Sequence, residues 1–115
     1  MELNLKKLGT HEVRAPKSLA TCVDFVSIWG SEPNRAQLGR LCAAAIAVGV
    51  DHSRVLPAYK IASGDPILFG HKIMDRLLEA GVSLSDVYEM GSQVLLEMMR
   101  AIPTEDEVEN TANFS

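Results

Sequence analysis

The chain contains three histidines and two cysteines, the side chains best suited to holding a metal or moving a proton near neutral pH. His11, His52 and His71 fall in three separate segments. None has a second ligand at a spacing diagnostic of a metal site. His71 and Asp75 stand four residues apart, which on a helix suffices for a hydrogen bond or for half a metal site. A surface pair is the simpler reading. Asp51 and His52 are adjacent in a polar stretch, a commonplace arrangement that carries no catalytic assignment. The glycines are scattered, mostly at the ends of segments, so there is no loop of the kind that cradles phosphate. Cys22 and Cys42 both sit at apolar positions of helix-like segments and read as buried thiols, since a disulfide requires an oxidising compartment. The expectation is a protein that is not an enzyme and uses neither metal nor cofactor. Its function must then lie in its surfaces.

The elements that would present those surfaces follow from the spacing of apolar residues. Leu3 to Ala15 alternates weakly around Gly9-Thr10 and predicts an irregular arm or a short hairpin, closed by Pro16 because the residue before proline avoids the helical region. From about Lys17, Leu19, Cys22, Val23, Val26 and Trp29 recur at helical steps up to Gly30. Ser31-Glu32-Pro33 opens a second helix, with Ser31 or Glu32 at its cap and proline in its first turn. Leu38, Leu41, Cys42, Ala45 and Ile46 form one stripe of that helix, and the small residues Ala36, Gly39, Ala43 and Ala47 lie almost opposite. Such a helix admits close neighbours on two sides and belongs at the centre of the fold.

Residues 49–64 read as a loop with an extended piece around 59–62, and loops that long are functional or mobile. Asp65-Pro66 is a strong helix start. The third helix runs to about Ala80, with Gly81 as its left-handed stop. Ser83-Leu84-Ser85-Asp86 begins the longest helix, which Pro103 ends at about Ile102. Thr104 and Glu107 form a capping box for a short fifth helix through Val108. The predicted fold is all-α or nearly so. It comprises an arm (1–16), a helical domain (17–103) and an acidic tail (104–115).

A chain of 115 residues, 47% apolar and 23% charged, is sized and composed for one soluble domain with a single core. No apolar run approaches a membrane span, and the start lacks the order of a signal peptide, so the cytoplasm is the expected compartment. Glu105, Asp106, Glu107 and Glu109 account for the whole net charge of −4. The neutral body and acidic tail offer no basic footprint for nucleic acid. Residues 77–83 followed by a helix superficially resemble a helix-turn-helix reader. The would-be recognition helix, however, starts with Asp86 and Glu89 and has no basic residue before Arg100, which phosphates would repel.

Apolar residues at wet positions are more informative. On the third helix Ile67, Phe69, Ile73, Met74, Leu77 and Leu78 mark the buried arc. Leu68 falls among His71, Lys72, Asp75, Arg76 and Glu79. On the fourth, Val87, Tyr88, Val94, Leu95, Met98, Met99 and Ile102 mark the buried side, and Leu96 interrupts Asp86, Glu89, Gln93, Glu97 and Arg100. Intramolecular cover by the loop or tail is one explanation. The other is a surface of the third and fourth helices that docks another protein, with Leu68 and Leu96 joined by Met99, whose thioether suits adaptable apolar contacts.

From Trp29 onward the chain resembles the small tail assembly chaperones and related accessory proteins of tailed bacteriophages. The resemblance is carried by Asn34-Arg35-Ala36-Gln37-Leu38, by Gly64-Asp65-Pro66 with Phe69-Gly70, by Leu77-Leu78-Glu79-Ala80-Gly81-Val82, and by Pro103-Thr104-Glu105, Glu107-Val108 and Phe114. It implies a mostly helical, non-enzymatic protein of the host cytoplasm that shields apolar helices of the tape-measure protein and helps tail-tube subunits assemble around it. The alternative within the same setting is a small structural protein of the virion, a connector or tail component. Self-association is compatible with either.

Overall fold

The computed structural model describes residues 2–5, 9–50 and 65–103. It is an all-α fold preceded by a hairpin. Strands β1 (Glu2–Leu5) and β2 (Gly9–Glu12) pair antiparallel with Leu3 opposite His11, which decides between irregular arm and hairpin. Four helices follow among the described residues: α1 (Leu19–Gly30), α2 (Arg35–Val50), α3 (Pro66–Glu79) and α4 (Leu84–Ala101). The proposed fifth helix, the 104–107 capping box and the extended piece at 59–62 lie outside the described residues.

Each helix start has a side-chain acceptor, as the free N–H groups of a first turn require. Ser18 caps α1 by accepting from Thr21 N at 3.3 Å, and Ser83 caps α4 by accepting from Asp86 N at 3.1 Å. Asp65 Oδ1 accepts from the N–H groups of Ile67 (3.0 Å) and Leu68 (3.3 Å), with Pro66 in the first turn of α3. The start of α2 differs from expectation. Asn34, not Ser31 or Glu32, is the cap. Its Oδ1 accepts from Gln37 N at 2.9 Å while Gln37 Oε1 accepts from Asn34 N at 3.1 Å, so two orphan donors are satisfied reciprocally. Pro33 consequently lies before the helix. α1 ends at Gly30 as expected, and the left-handed residue that follows it is Glu32 (φ 56°).

Helix α2 is the centre of the fold: every residue from Leu41 to Ile46 is fully buried. α3 and α4 both pack on α2 and have little direct contact with each other, while α1 packs chiefly on α4. Two mid-helix glycines allow these approaches. A methyl at Gly70 would overlap the carbonyl of Arg40, and one at Gly91 would overlap the Cα and Cβ of Cys42. Gly49 does the same for the arm. It lies inside α2 rather than in the loop expected from residue 49. Its carbonyl accepts from Arg14 N at 3.0 Å, and a side chain there would meet Val13 Cγ1 at 2.9 Å. The arm is thereby rooted in the core, with Val13 and Pro16 buried.

Of the core residues expected for the bundle, Leu41, Cys42, Ile46, Leu77, Leu95 and Met98 are buried, and Ile73 is partly buried against them. α1 is rotated from its expected face. Phe25, Cys22 and Thr21 are buried, whereas Leu19 and Val23 are exposed. Burying the ring of Phe25 is the larger gain, and at 100° per residue Val23 then lies about 160° away from it.

Candidate partner-docking surface

The three residues expected to contact a partner occupy different environments. Leu68 is 47% exposed on α3, and Met99 is 45% exposed on α4, although helical spacing puts Met99 on the buried side. Leu78, expected in the buried arc, is exposed as well. α3 packs mainly on α2, so its buried stripe narrows to Pro66, Phe69, Gly70 and Leu77.

Leu96 is only partly exposed, contrary to its expected place among charges. It ends the row Tyr88, Ser92, Leu96, spaced by one helical turn on the side of α4 that meets α2. Tyr88 donates its hydroxyl hydrogen to Arg35 O at 2.6 Å, and Ser92 Oγ lies 3.9 Å from Cys42 Sγ. Because α4 is flanked by both α1 and α2, its covered arc is wider than one partner would give. Nor do α3 and α4 form one continuous packed surface, since α2 holds each of them separately. Leu68 and the Leu96–Met99 pair belong to different faces.

Among the described residues no group of three metal-ligating side chains converges. His71 and Asp75 are both exposed on α3. Asp51 and His52 fall outside the described residues. Cys22 and Cys42 are buried free thiols, as expected. Cys22 Sγ donates to Pro16 O at 3.5 Å, and Cys42 Sγ to Tyr88 O at 3.8 Å. Burial raises the pKa of both, more than the backbone hydrogen bond at Cys22 and the Ser92 contact at Cys42 lower it. Thiols kept protonated in this way are poor nucleophiles and poor metal ligands.

Sequence reasoning missed an open groove of about 530 Å³ where the end of α1 meets the starts of α2 and α3. Its lining includes Asp24, Ser31, Gln37 and Asp65. Several of these groups are already occupied. Asp65 and Gln37 serve as helix caps, and Ser31 Oγ donates to Ile28 O at 2.6 Å. The only sequence signal for this groove was the convergence of cap residues, which a linear reading assigns to separate helices.

The most conspicuous surface feature is apolar. Leu19 and Val23 on α1, Leu68 and Leu78 on α3, and Leu84 and Met99 on α4 are each 42–52% exposed. No helix among the described residues is long and apolar enough to cross a membrane. No family model matches the chain, and no curated protein or solved structure matches it.

Proposed function

We propose that this protein is a non-enzymatic assembly factor that docks apolar helical segments of other proteins. Within that reading it acts as a tail assembly chaperone of a tailed phage, working in the host cytoplasm on tape-measure and tail-tube proteins. The observation that supports docking is the set of large apolar side chains left in water on α1, α3 and α4 around a core that is already closed. Burying such side chains against a partner contributes about 25 cal/mol per Å² of apolar area. Leucine and methionine suit partners whose sequences vary, because contacts of this kind are adaptable rather than directional. The phage setting rests on the resemblance of residues 34–38, 64–70 and 77–82 to tail assembly chaperones.

Co-expression and pull-down with tape-measure and tail-tube proteins test the reading. Leu68→Lys and Met99→Lys are the informative variants. Each is expected to weaken capture at least about fivefold if it removes an anchor worth more than about 1 kcal/mol, with the melting temperature unchanged. Undiminished capture by both would reject these two faces as docking surfaces. Mass spectrometry of purified particles separates the chaperone from the structural alternative: a chaperone is absent from the mature virion, and a connector or tail component is present at fixed stoichiometry.

A further inference from the structure

The outer face of α1 is open. Thr21, Cys22 and Phe25 face inward, and on the opposite side Leu19, Ala20, Val23, Ser27 and Gly30 are exposed. A methyl placed on Gly30 would meet nothing within 4 Å. From residue 17 to residue 30 the only charged side chains are Lys17 and Asp24, both exposed. Lys17 stands just before the Ser18 cap, where a first turn without an acidic residue adds the positive end of the helix dipole. Asp24 lies one turn beyond Ala20 on the flank of the face, and Asp65 shares the groove beside it. Positive charge therefore gathers at the start of α1 and negative charge further along it. The neighbouring charges offset each other, since Glu12 is paired to Arg14 and α4 ends with Glu97 and Arg100.

We propose that α1 packs antiparallel on α1 of a second copy, about a two-fold axis that crosses the helix near Ala20 and Thr21. The reason is self-complementarity. Leu19 and Val23 straddle that point, and so do Lys17 and Asp24. A two-fold rotation there sets Leu19 of each copy beside Val23 of the other, and Lys17 of each beside Asp24 of the other. A face of one net sign would repel its own copy, whereas this one meets opposite signs at both ends once it is reversed. Ala20, at the centre, has no bulk to hold the two backbones apart, so they can approach to the roughly 8–10 Å of packed helices. The reversed arrangement also opposes the two helix dipoles favourably. A parallel pair would stack Lys17 on Lys17 and Asp24 on Asp24. An unrelated partner would need only the apolar stripe, and the placement of opposite charges about it is what singles out a second copy.

Sedimentation of the purified full-length chain over a concentration series tests the proposal without any other protein, so its outcome is independent of the docking function. One helix from each copy makes a small interface, and a monomer–dimer equilibrium that shifts with dilution is expected. Lys17→Glu and Asp24→Lys should each weaken the dimer about tenfold, because each turns two exposed ion pairs into two repulsions. Mixed in equal amounts, the two variants should pair with each other as tightly as the parent does, since every cross-copy contact is again between opposite charges. A second arm uses no charge change. Ala20→Cys should cross-link into dimers under mild oxidation, whereas Gly30→Cys should not, because the two-fold holds those positions about 30 Å apart along the axis. The native thiols are buried and do not compete. A parent that stays monomeric at every concentration overturns the proposal, as do single variants that associate like the parent, a mixture no tighter than its components, or equal cross-linking at both cysteines.

Discussion

Helices α1 and α2 are made of similar material and have opposite fates. α1 has one charged residue, Asp24, and α2 has two, Arg35 and Arg40. α2 is enclosed on all sides through its middle, whereas α1 leaves Leu19 and Val23 in water. The difference is side-chain size. Gly39, Ala43, Ala44 and Ala45 let neighbouring helices approach α2 closely, and Gly70 and Gly91 complete the approach from the other side. On α1 Val23 and Phe25 stand two residues apart, so packing Phe25 inward turns Val23 outward. A nearly uncharged helix with one face uncovered has the composition of a helix that is covered twice, once by this fold and once by something else.

The largest effect should come from emptying the enclosed helix. Ile46→Ala removes a fully buried side chain and is expected to cost about 2–5 kcal/mol, a large part of the roughly 5–15 kcal/mol available to a small domain. A denaturant melt measures it. A loss below about 1 kcal/mol would mean that α2 is not the centre of the fold.

Next in size is the close approach itself. Gly91→Ala would help an isolated helix by about 1 kcal/mol, but here the new methyl runs into the Cα and Cβ of Cys42. A net destabilisation of about 1–3 kcal/mol is expected from overpacking. The sign is the test, because a stabilised variant would show that α4 does not approach α2 closely.

The distinction between Leu96 and Leu68 is a smaller effect and shows what was legible in the sequence. The bundle, the caps at Asp65 and Ser83, the stop at Gly81 and most of the core could be read from local rules, because each depends on a residue and its neighbours along one helix. The wet arcs were also readable, down to Leu68. Leu96 and Leu78 depart from the wheel for a shared reason. A helical wheel gives the angle of a residue but not the number of neighbours around the helix. Leu96 is covered because α4 has two neighbours. Leu78 is bare because α3 leans mainly on one. Gly70 and Gly91 looked like weak points in good helices, and only the three-dimensional crossing shows what they admit. Leu96→Lys should therefore lower stability by about 1 kcal/mol or more through lost burial. Leu68→Lys should stay within about 0.5 kcal/mol of the parent. Equal melting temperatures for the two would return Leu96 to the surface.

The smallest expected effect bears most directly on the comparison of α1 with α2, because it uses one residue type in both helices. Val48 is fully buried near the end of α2, and Val23 is 42% exposed on α1. Val48→Ala removes two buried carbons, about 1.6 kcal/mol at roughly 0.8 kcal/mol for each, offset in part by the better helix propensity of alanine, worth about 0.5 kcal/mol. Val23→Ala has the same propensity gain with little burial to lose. On the described residues alone it should be neutral, or stabilising by up to about 0.5 kcal/mol. Thermal melts of Val23→Ala and Val48→Ala beside the parent chain therefore report whether the outer face of α1 is bare, with the inner face of α2 as the internal reference. A loss at Val23 equal to that at Val48 would mean that the outer face of α1 is covered after all.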